Sequence, residues 1–248
     1  MSEERKKKTA RAAASFLVMA VLLVILIFAS VNIGSLQVSP SELFRGLFIE
    51  RIENVAAIYD LRFPRIVISL SAGAAVAVSG VLFQAVLKNP LADPGIIGIS
   101  GGAGFAAVLV TAFFPALYFF TPLAAFGGGV LAFFLVYSLS WKGGLSPLRI
   151  ILTGVAVSAM FTGLTEALNS MTGGNSSGVA SIVEGNITQK TWDDVHTLLP
   201  YVVIGLILAV LSAKMCHLMS LEDKTARGLG VNVNLMRILI SLAAVLLA

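Results

Sequence analysis

Long apolar runs constrain this chain more than any other feature. Seven stand out, at residues 12–33, 66–87, 96–114, 123–139, 150–168, 198–213 and 238–248. A helix needs about 20 apolar residues to cross the hydrocarbon core of a bilayer. The first five runs come close to that length, and the sixth reaches it by continuing to Met219. Lipid offers the backbone no hydrogen-bond partner, so such runs must satisfy their amides internally, as helices. The expected fold class is therefore all-α, a polytopic transmembrane helix bundle with six complete spans and a cut seventh. At 1.5 Å per residue, the seventh run would cover only about half a membrane. The sequence is accordingly expected to form one transmembrane domain, 1–248, as the N-terminal part of a longer chain.

Composition agrees. The chain is 57% hydrophobic and 12% charged, whereas a soluble domain carries about 25% charged residues. A soluble core could not hide this much apolar surface. The single cysteine, Cys216, excludes a disulfide or a cysteine metal cluster within the chain. The net charge of +4 is explained by topology rather than by nucleic acid. With the N-terminus in the cytoplasm, twelve of the 17 lysines and arginines fall inside and five outside. The basic head, 1–11, followed by an apolar run looks like a signal peptide. The run is longer than a signal's apolar region, however, and no clear small-residue cleavage site follows, so it reads as a span.

Small residues recur every fourth position at Ser69, Gly73 and Ala77, at Gly98, Gly102 and Ala106, and at Gly154, Ser158 and Thr162. Such faces let membrane helices approach closely. Catalytic signals are weak. There is no Gly-Lys dipeptide and hence no Walker A loop. Gly102-Ala103-Gly104 opens an apolar helix without a preceding strand, so it reads as packing. His196 and His217 fall on opposite membrane sides in this topology. Asn175-Ser176-Ser177 and Asn186-Ile187-Thr188 fit a glycosylation pattern that is common by chance.

The informative stretch runs from Asp60 to Ala103. It reads Asp60-Leu61-Arg62-Phe63-Pro64-Arg65, then a small-residue helix with Gln84 near its end. It continues as Leu87-Lys88-Asn89-Pro90-Leu91-Ala92-Asp93-Pro94-Gly95 and closes on Gly98-Ile99-Ser100. Arg62 and Arg65 flank a proline and can present two charges from one corner. Their plainer role is to snorkel to lipid headgroups. Pro90 and Pro94 would stop the helix and shape a cytoplasmic turn. A second element, Leu221-Glu222-Asp223-Lys224-Thr225-Ala226-Arg227-Gly228-Leu229-Gly230, reads as a short amphipathic helix. Leu221, Thr225 and Leu229 recur on one face and Gly230 supplies a stop.

Residues 61–100 resemble the signature of the FecCD-type permeases of iron-siderophore, haem and vitamin B12 importers. That signature is close to L-R-[LF]-P-R, a small-residue helix, N-P-L-A-[DE]-P and G-[IV]-S. The resemblance extends over essentially the whole chain. It implies a bundle of about ten helices in the complete protein, packed through small faces. It further implies a second permease chain, like or unlike, two ATPase subunits and an extracytoplasmic substrate-binding protein in a bacterial inner membrane. ATP and magnesium would bind the ATPases, with no cofactor and no catalysis on this chain. Arg62 and Arg65 match the arginines that receive carboxylates of the binding protein. The region 220–231 matches the helix that couples to the ATPase, and Asn89 to Pro94 match the family turn. One departure is residues 182–187, which lack the family's tryptophan and carry Asn186 in place of serine, although Trp192 follows.

Glu166 and Asn169, near the outer end of the fifth run, are candidates for the transport pathway, because an intramembrane acid is costly. The plainer reading has Glu166 reaching the outer interface. The alternative function is a secondary transporter of a small polar solute. That class is expected to show broken helices in repeated halves, and no such repeat is present. A membrane enzyme would need His, Asp or Cys clustered at one depth, which the sequence lacks. A piece without the later helices is expected not to transport on its own.

Overall fold

A computed structural model describes residues 3–33, 38–50, 52–95, 97–141, 147–171 and 185–248. All regular structure among them is helical. The chain forms two compact units, one of Met1–Ile68 with Lys190–Val195, the other of Ser69–Gln189 with His196–Ala248.

The first unit contains α1 (Glu3–Asn32), α2 (Pro40–Phe48), α3 (Glu53–Leu61) and the opening turns of α4 (Phe63–Leu87) and α8 (Trp192–Met219). Its core is small: Val31, Val38, Val55 and Ile58, with Leu43, Ile52, Phe63 and Ile66 packed against them. The apolar part of α1, Thr9–Asn32, has none of its most hydrophobic stretch buried within the chain. A helix that is apolar all round and uncovered by protein is suited to lipid. Helix α2 starts with a reciprocal cap. The Glu42 amide donates to Ser39 Oγ at 3.2 Å, and the Ser39 amide donates to Glu42 Oε2 at 2.8 Å. Helix α3 passes into α4 at Arg62 and Pro64, where Arg62 keeps right-handed helical angles. The Arg62 amide still bonds Ile58, but Pro64 has no N–H to continue the ladder. Together they form one apolar stretch, Glu53–Leu87, of 35 residues.

The second unit contains the rest of α4 and α8, with α5 (Ile99–Phe113), a 3₁₀ turn (Pro115–Phe120), α6 (Thr121–Ser140) and α7 (Pro147–Met171). It ends with α9 (Asp223–Gly228) and α10 (Val233–Leu247). Its core gathers Phe83, Ile99, Phe133, Val157, Ile240 and Ala244. Ser79 Oγ, fully buried, donates to the Ala244 carbonyl at 2.7 Å and ties α4 to α10. Two of the expected small-residue faces are used for packing. A Cβ on Gly102 would lie 2.6 Å from the Gly128 carbonyl oxygen and 2.6 Å from Ala132 Cβ, so α5 and α6 touch backbone to backbone. A Cβ on Gly98 would lie 3.0 Å from the Gly154 carbonyl oxygen and 3.1 Å from the Ser158 nitrogen, which brings the start of α5 onto α7. The third face is different. Ser69, Gly73 and Ala77 are exposed, and a Cβ on Gly73 would meet nothing within 4 Å.

Among the described residues, five helical stretches are long and apolar enough to cross a membrane: Thr9–Asn32, Glu53–Leu87, Pro115–Ser140, Leu148–Met171 and Trp192–Met219. The chain is thus an all-helical, multi-pass membrane protein. The third apolar run yields only the 15 residues of α5. Near its start stands Gly98, whose left-handed φ of 83° is the glycine conformation, so the helix begins only at Ile99. The last run yields another 15-residue helix, α10, which begins before the expected Ile238 because Asn232 caps it. Two shorter apolar helices, Ile99–Phe113 and Val233–Leu247, account for the other two expected runs among the described residues.

Candidate functional site

The turn 89–95 is held by its own side chains. Asn89 Oδ1 accepts the Leu91 amide at 3.0 Å, and Asp93 Oδ1 accepts the Gly95 amide at 2.8 Å. Each is an Asx turn at an Asx-Pro pair, so proline fixes the backbone where the carboxamide or carboxylate closes it. The Ala92 amide bonds the Asn89 carbonyl, and the Ile97 amide bonds that of Asp93. Ala92, Pro94 and Ile97 are buried, while Pro90 and Leu91 stand in the open. Lys88, immediately before the turn, takes a left-handed φ of 50°, which is uncommon for a residue with a side chain.

That strained position aims Lys88 at α9. Lys88 Nζ donates to Asp223 Oδ1 at 2.8 Å and also to the Leu221 carbonyl. Arg237, in the second turn of α10, reaches the same carboxylate through Nη2, at 2.9 Å to Oδ2 and 3.2 Å to Oδ1. The hydrogen bond from Lys88 is the main cause that holds the Asp223 carboxyl below its ordinary pKa, with the charges of Arg237 and Lys88 adding and burial opposing. Three charged groups, each from a different element, thus close one joint between the α4–α5 turn, α9 and α10.

Helix α9 is shorter than the expected amphipathic segment, and it is oriented by a different residue. Ala226 is its buried contact, at 2% exposure, while Leu221, Thr225 and Leu229 lie exposed. The expected apolar face is therefore turned away from the chain. The helix ends in a Schellman turn: the Gly230 amide bonds the Arg227 carbonyl, the Val231 amide bonds that of Ala226, and Gly230 has φ 81°. Glu222 serves as the N-cap residue without a side-chain cap bond, and Arg227 and Gly228 are exposed.

Glu166 borders a groove of about 450 Å³ in the second unit, lined by Gly95, Val155, Ser158, Ala159, Thr162, Gly163 and Glu166. Ser158, Thr162 and Glu166 are spaced by four, so one face of α7 presents a polar stripe to this groove. Thr162 was expected to pack against a neighbouring helix, and it opens onto the groove instead. Asn169 is half-buried one turn further on and is not among the lining residues. Gly95 joins the groove to the turn described above.

In the first unit, Arg62 and Arg65 sit at the α3–α4 junction, both half-buried. Arg62 Nη1 donates to the Val31 carbonyl at the end of α1. Arg65 Nε is buried and has no hydrogen-bond partner among the described residues. Trp192 Nε1 donates to the Tyr59 carbonyl at 3.2 Å, and the two rings lie 4.9 Å apart. Lys190 and Asp194 pair beside them at 3.1 Å.

The sequence matches the FecCD transport family over residues 22–248. The chain belongs to that family. This FecCD permease is 38% identical to a Staphylococcus aureus (strain NCTC 8325 / PS 47) protein described as a probable heme-iron transport system permease, IsdF. That match covers 94% of this chain and 70% of the relative. It is 36% identical to the iron(3+)-hydroxamate import system permease FhuG of Bacillus subtilis (strain 168), over 98% of this chain and 75% of the relative. Among solved structures, a metal-chelate type ABC transporter in an inward-facing conformation superposes with a TM-score of 0.66 at 26% identity. That superposition covers 95% of this chain and 74% of the other. The FecCD permease is thus a membrane subunit of the ATP-binding-cassette import class.

Two groups in the FecCD permease escape a reading of motifs alone. Lys88 and Arg237 look like ordinary cytoplasmic charges in the sequence. Only the fold shows that both converge on Asp223. The available signal was the family turn itself, which begins directly after Lys88. The stretches 175–177 and 182–184 lie outside the described residues. At the described edge of the departing segment, Gly185 takes φ 61° and Asn186 Oδ1 accepts the Thr188 amide at 2.8 Å.

Proposed function

We propose that this permease carries a ferric siderophore, haem or a related metal chelate into the cytoplasm of a bacterium. It would act with a second permease chain, two ATPase subunits and an extracytoplasmic binding protein. ATP and magnesium are assigned to the ATPases, and this chain is assigned no cofactor and no catalytic residue. The N-terminal head lies in the cytoplasm of this arrangement, together with the turn 89–95 and α9. Six complete spans are counted when α5 is completed by its turn, with α10 as the start of the seventh. The observation that carries the reading is the outward face of α9, where Leu221, Thr225 and Leu229 are exposed while Ala226 and Asp223 hold the helix to the chain. A short helix anchored on one side and bare on the other suits a coupling element.

In the first unit, Arg62 and Arg65 are proposed to meet carboxylates of the binding protein. Arg62 Nη1 already donates to the Val31 carbonyl, which makes Arg65 the stronger of the two for this role. Reversing both charges is expected to weaken docking and make it more salt-sensitive; binding-protein affinity equal to that of the wild type would rule the assignment out. Glu166, with Ser158 and Thr162, is assigned to the wall of the passage.

The decisive experiment is purification of the full-length protein with the ATPase and binding protein encoded beside it. A ferric chelate together with its binding protein is expected to stimulate ATP hydrolysis and to enter proteoliposomes. Uptake driven by an ion gradient without ATP would instead establish a secondary transporter.

A further inference from the structure

Taking α9 as the coupling element, as proposed above, we infer that Lys88, Asp223 and Arg237 form the joint that passes displacement of α9 to the groove beside α7. The argument starts from what holds α9 in place. The helix has six residues, too few to be stable alone. Its own buried contact is one alanine side chain, so little apolar packing fixes it. The remaining attachment is ionic: Asp223 binds Lys88 Nζ at 2.8 Å and Arg237 Nη2 at 2.9 Å. The Arg237 side chain is only 16% exposed, so this pair is screened less than a surface ion pair.

What lies beyond Lys88 makes the joint more than an anchor. The next seven residues contain two Asx-Pro turns, which leave the backbone little freedom. They end at Gly95, which lines the groove together with the α7 residues Ser158, Thr162 and Glu166. A stiff connector therefore runs from the Asp223 carboxylate to the groove that the polar face of α7 borders. The second arm, Arg237, leads into α10, whose Ala244 carbonyl accepts the buried Ser79 hydroxyl of α4. A push on α9 is shared between these two arms instead of being dissipated in a hinge. Lys88, Asp223 and Arg237 are positioning residues in this scheme; none touches cargo or nucleotide.

The test uses the full-length transporter with its ATPase and binding protein, reconstituted in proteoliposomes. The readout is chelate molecules imported per ATP hydrolysed, which a merely structural loss of assembled protein would not change. Lys88→Gln is expected to lower that ratio by about fivefold or more, the low end of a typical coupling energy. Asp223→Asn is expected to lower it similarly, and the double variant to be no worse than the poorer single one, because both remove one joint. A wild-type ratio in Lys88→Gln overturns the inference, as does a double variant whose loss is the product of the two single losses. Should Asp223→Asn fail to assemble, Lys88→Gln decides alone. Absence of ATP-dependent uptake in the wild-type complex would count against the importer reading itself, which separates the two failures.

Discussion

Gly98 shows how one residue can set the geometry of a membrane site. Its φ of 83° is open to glycine, and the space above its Cα is filled by the Gly154 carbonyl and the Ser158 backbone. Gly98→Ala combines an unfavourable backbone with a forced separation of α5 from α7. It is expected to destabilise the protein by about 1–3 kcal/mol, measured as a lowered thermal midpoint of the purified transporter. Gly73→Ala is the matched control: nothing stands within 4 Å of its added Cβ, so the midpoint should hold or rise slightly. Asp223 permits a pH prediction. Its pKa is lowered in the folded chain, so its ionic joint contributes stability above the ordinary carboxylate value and loses it as pH falls through the folded one. Import per ATP should therefore show no titration from this group between about pH 5 and pH 8, above the ordinary Asp value. A Lys88-dependent step in that range would contradict the assignment.

At the level of elements, α9 is defined by what it withholds from its own chain. Thr225 lies exposed, so a photo-crosslinker placed there is expected to capture the ATPase subunit; capture of lipid alone would show that the helix lies at the headgroups. Leu229→Asp, on the same exposed side at 65% exposure, should weaken ATPase association without lowering the permease's own thermal midpoint. Much of this was legible beforehand. The stop at Gly230 and the turn at Asn89 to Gly95 follow from local chemistry, since glycine and Asx-Pro pairs dictate backbone shape regardless of neighbours. The orientation of α9 was not legible, because the side on which a six-residue helix packs is decided by distant partners. Alanine and leucine look alike in a pattern, and the fold buries Ala226 rather than Leu221 or Leu229. Helix α2 was missed although its Ser39-Pro40-Ser41-Glu42 capping box was on view, since hydropathy counts only long runs. The start of α5 was misplaced for the opposite reason. Residues 96–98 are apolar enough to extend the run, but left-handed Gly98 ends the helix regardless of hydropathy.

For the whole molecule, the proposed topology makes claims about sides. Cysteines placed in the head, at Lys7, and in the turn, at Leu91, are expected to resist a membrane-impermeant thiol reagent applied from outside intact cells. A cysteine at Glu42 in α2 should react. Reaction at Lys7 but not at Glu42 would invert the assignment. The bundle also differs in how its helices are held. The apolar stretch of α1 shares none of its most hydrophobic part with the core, whereas α5 touches α6 and α7 at backbone distance.

That difference bears on the lipid around the protein. Fifteen residues of α5 rise about 22 Å at 1.5 Å each, short of a hydrocarbon layer about 30 Å thick. The turn 89–95 that precedes it has its Leu91, Ala92 and Gly95 amides bonded within the chain. Helix α5 therefore takes its vertical position from glycine contacts with protein, not from matching its length to acyl chains. The 24-residue span Thr9–Asn32, held at Val31 but with none of its most hydrophobic stretch buried, is free to follow bilayer thickness by tilting. Lengthening the acyl chains of a reconstituted membrane should reorient α1 while leaving the depth of Gly98 unchanged, so the groove keeps its shape as the membrane changes composition.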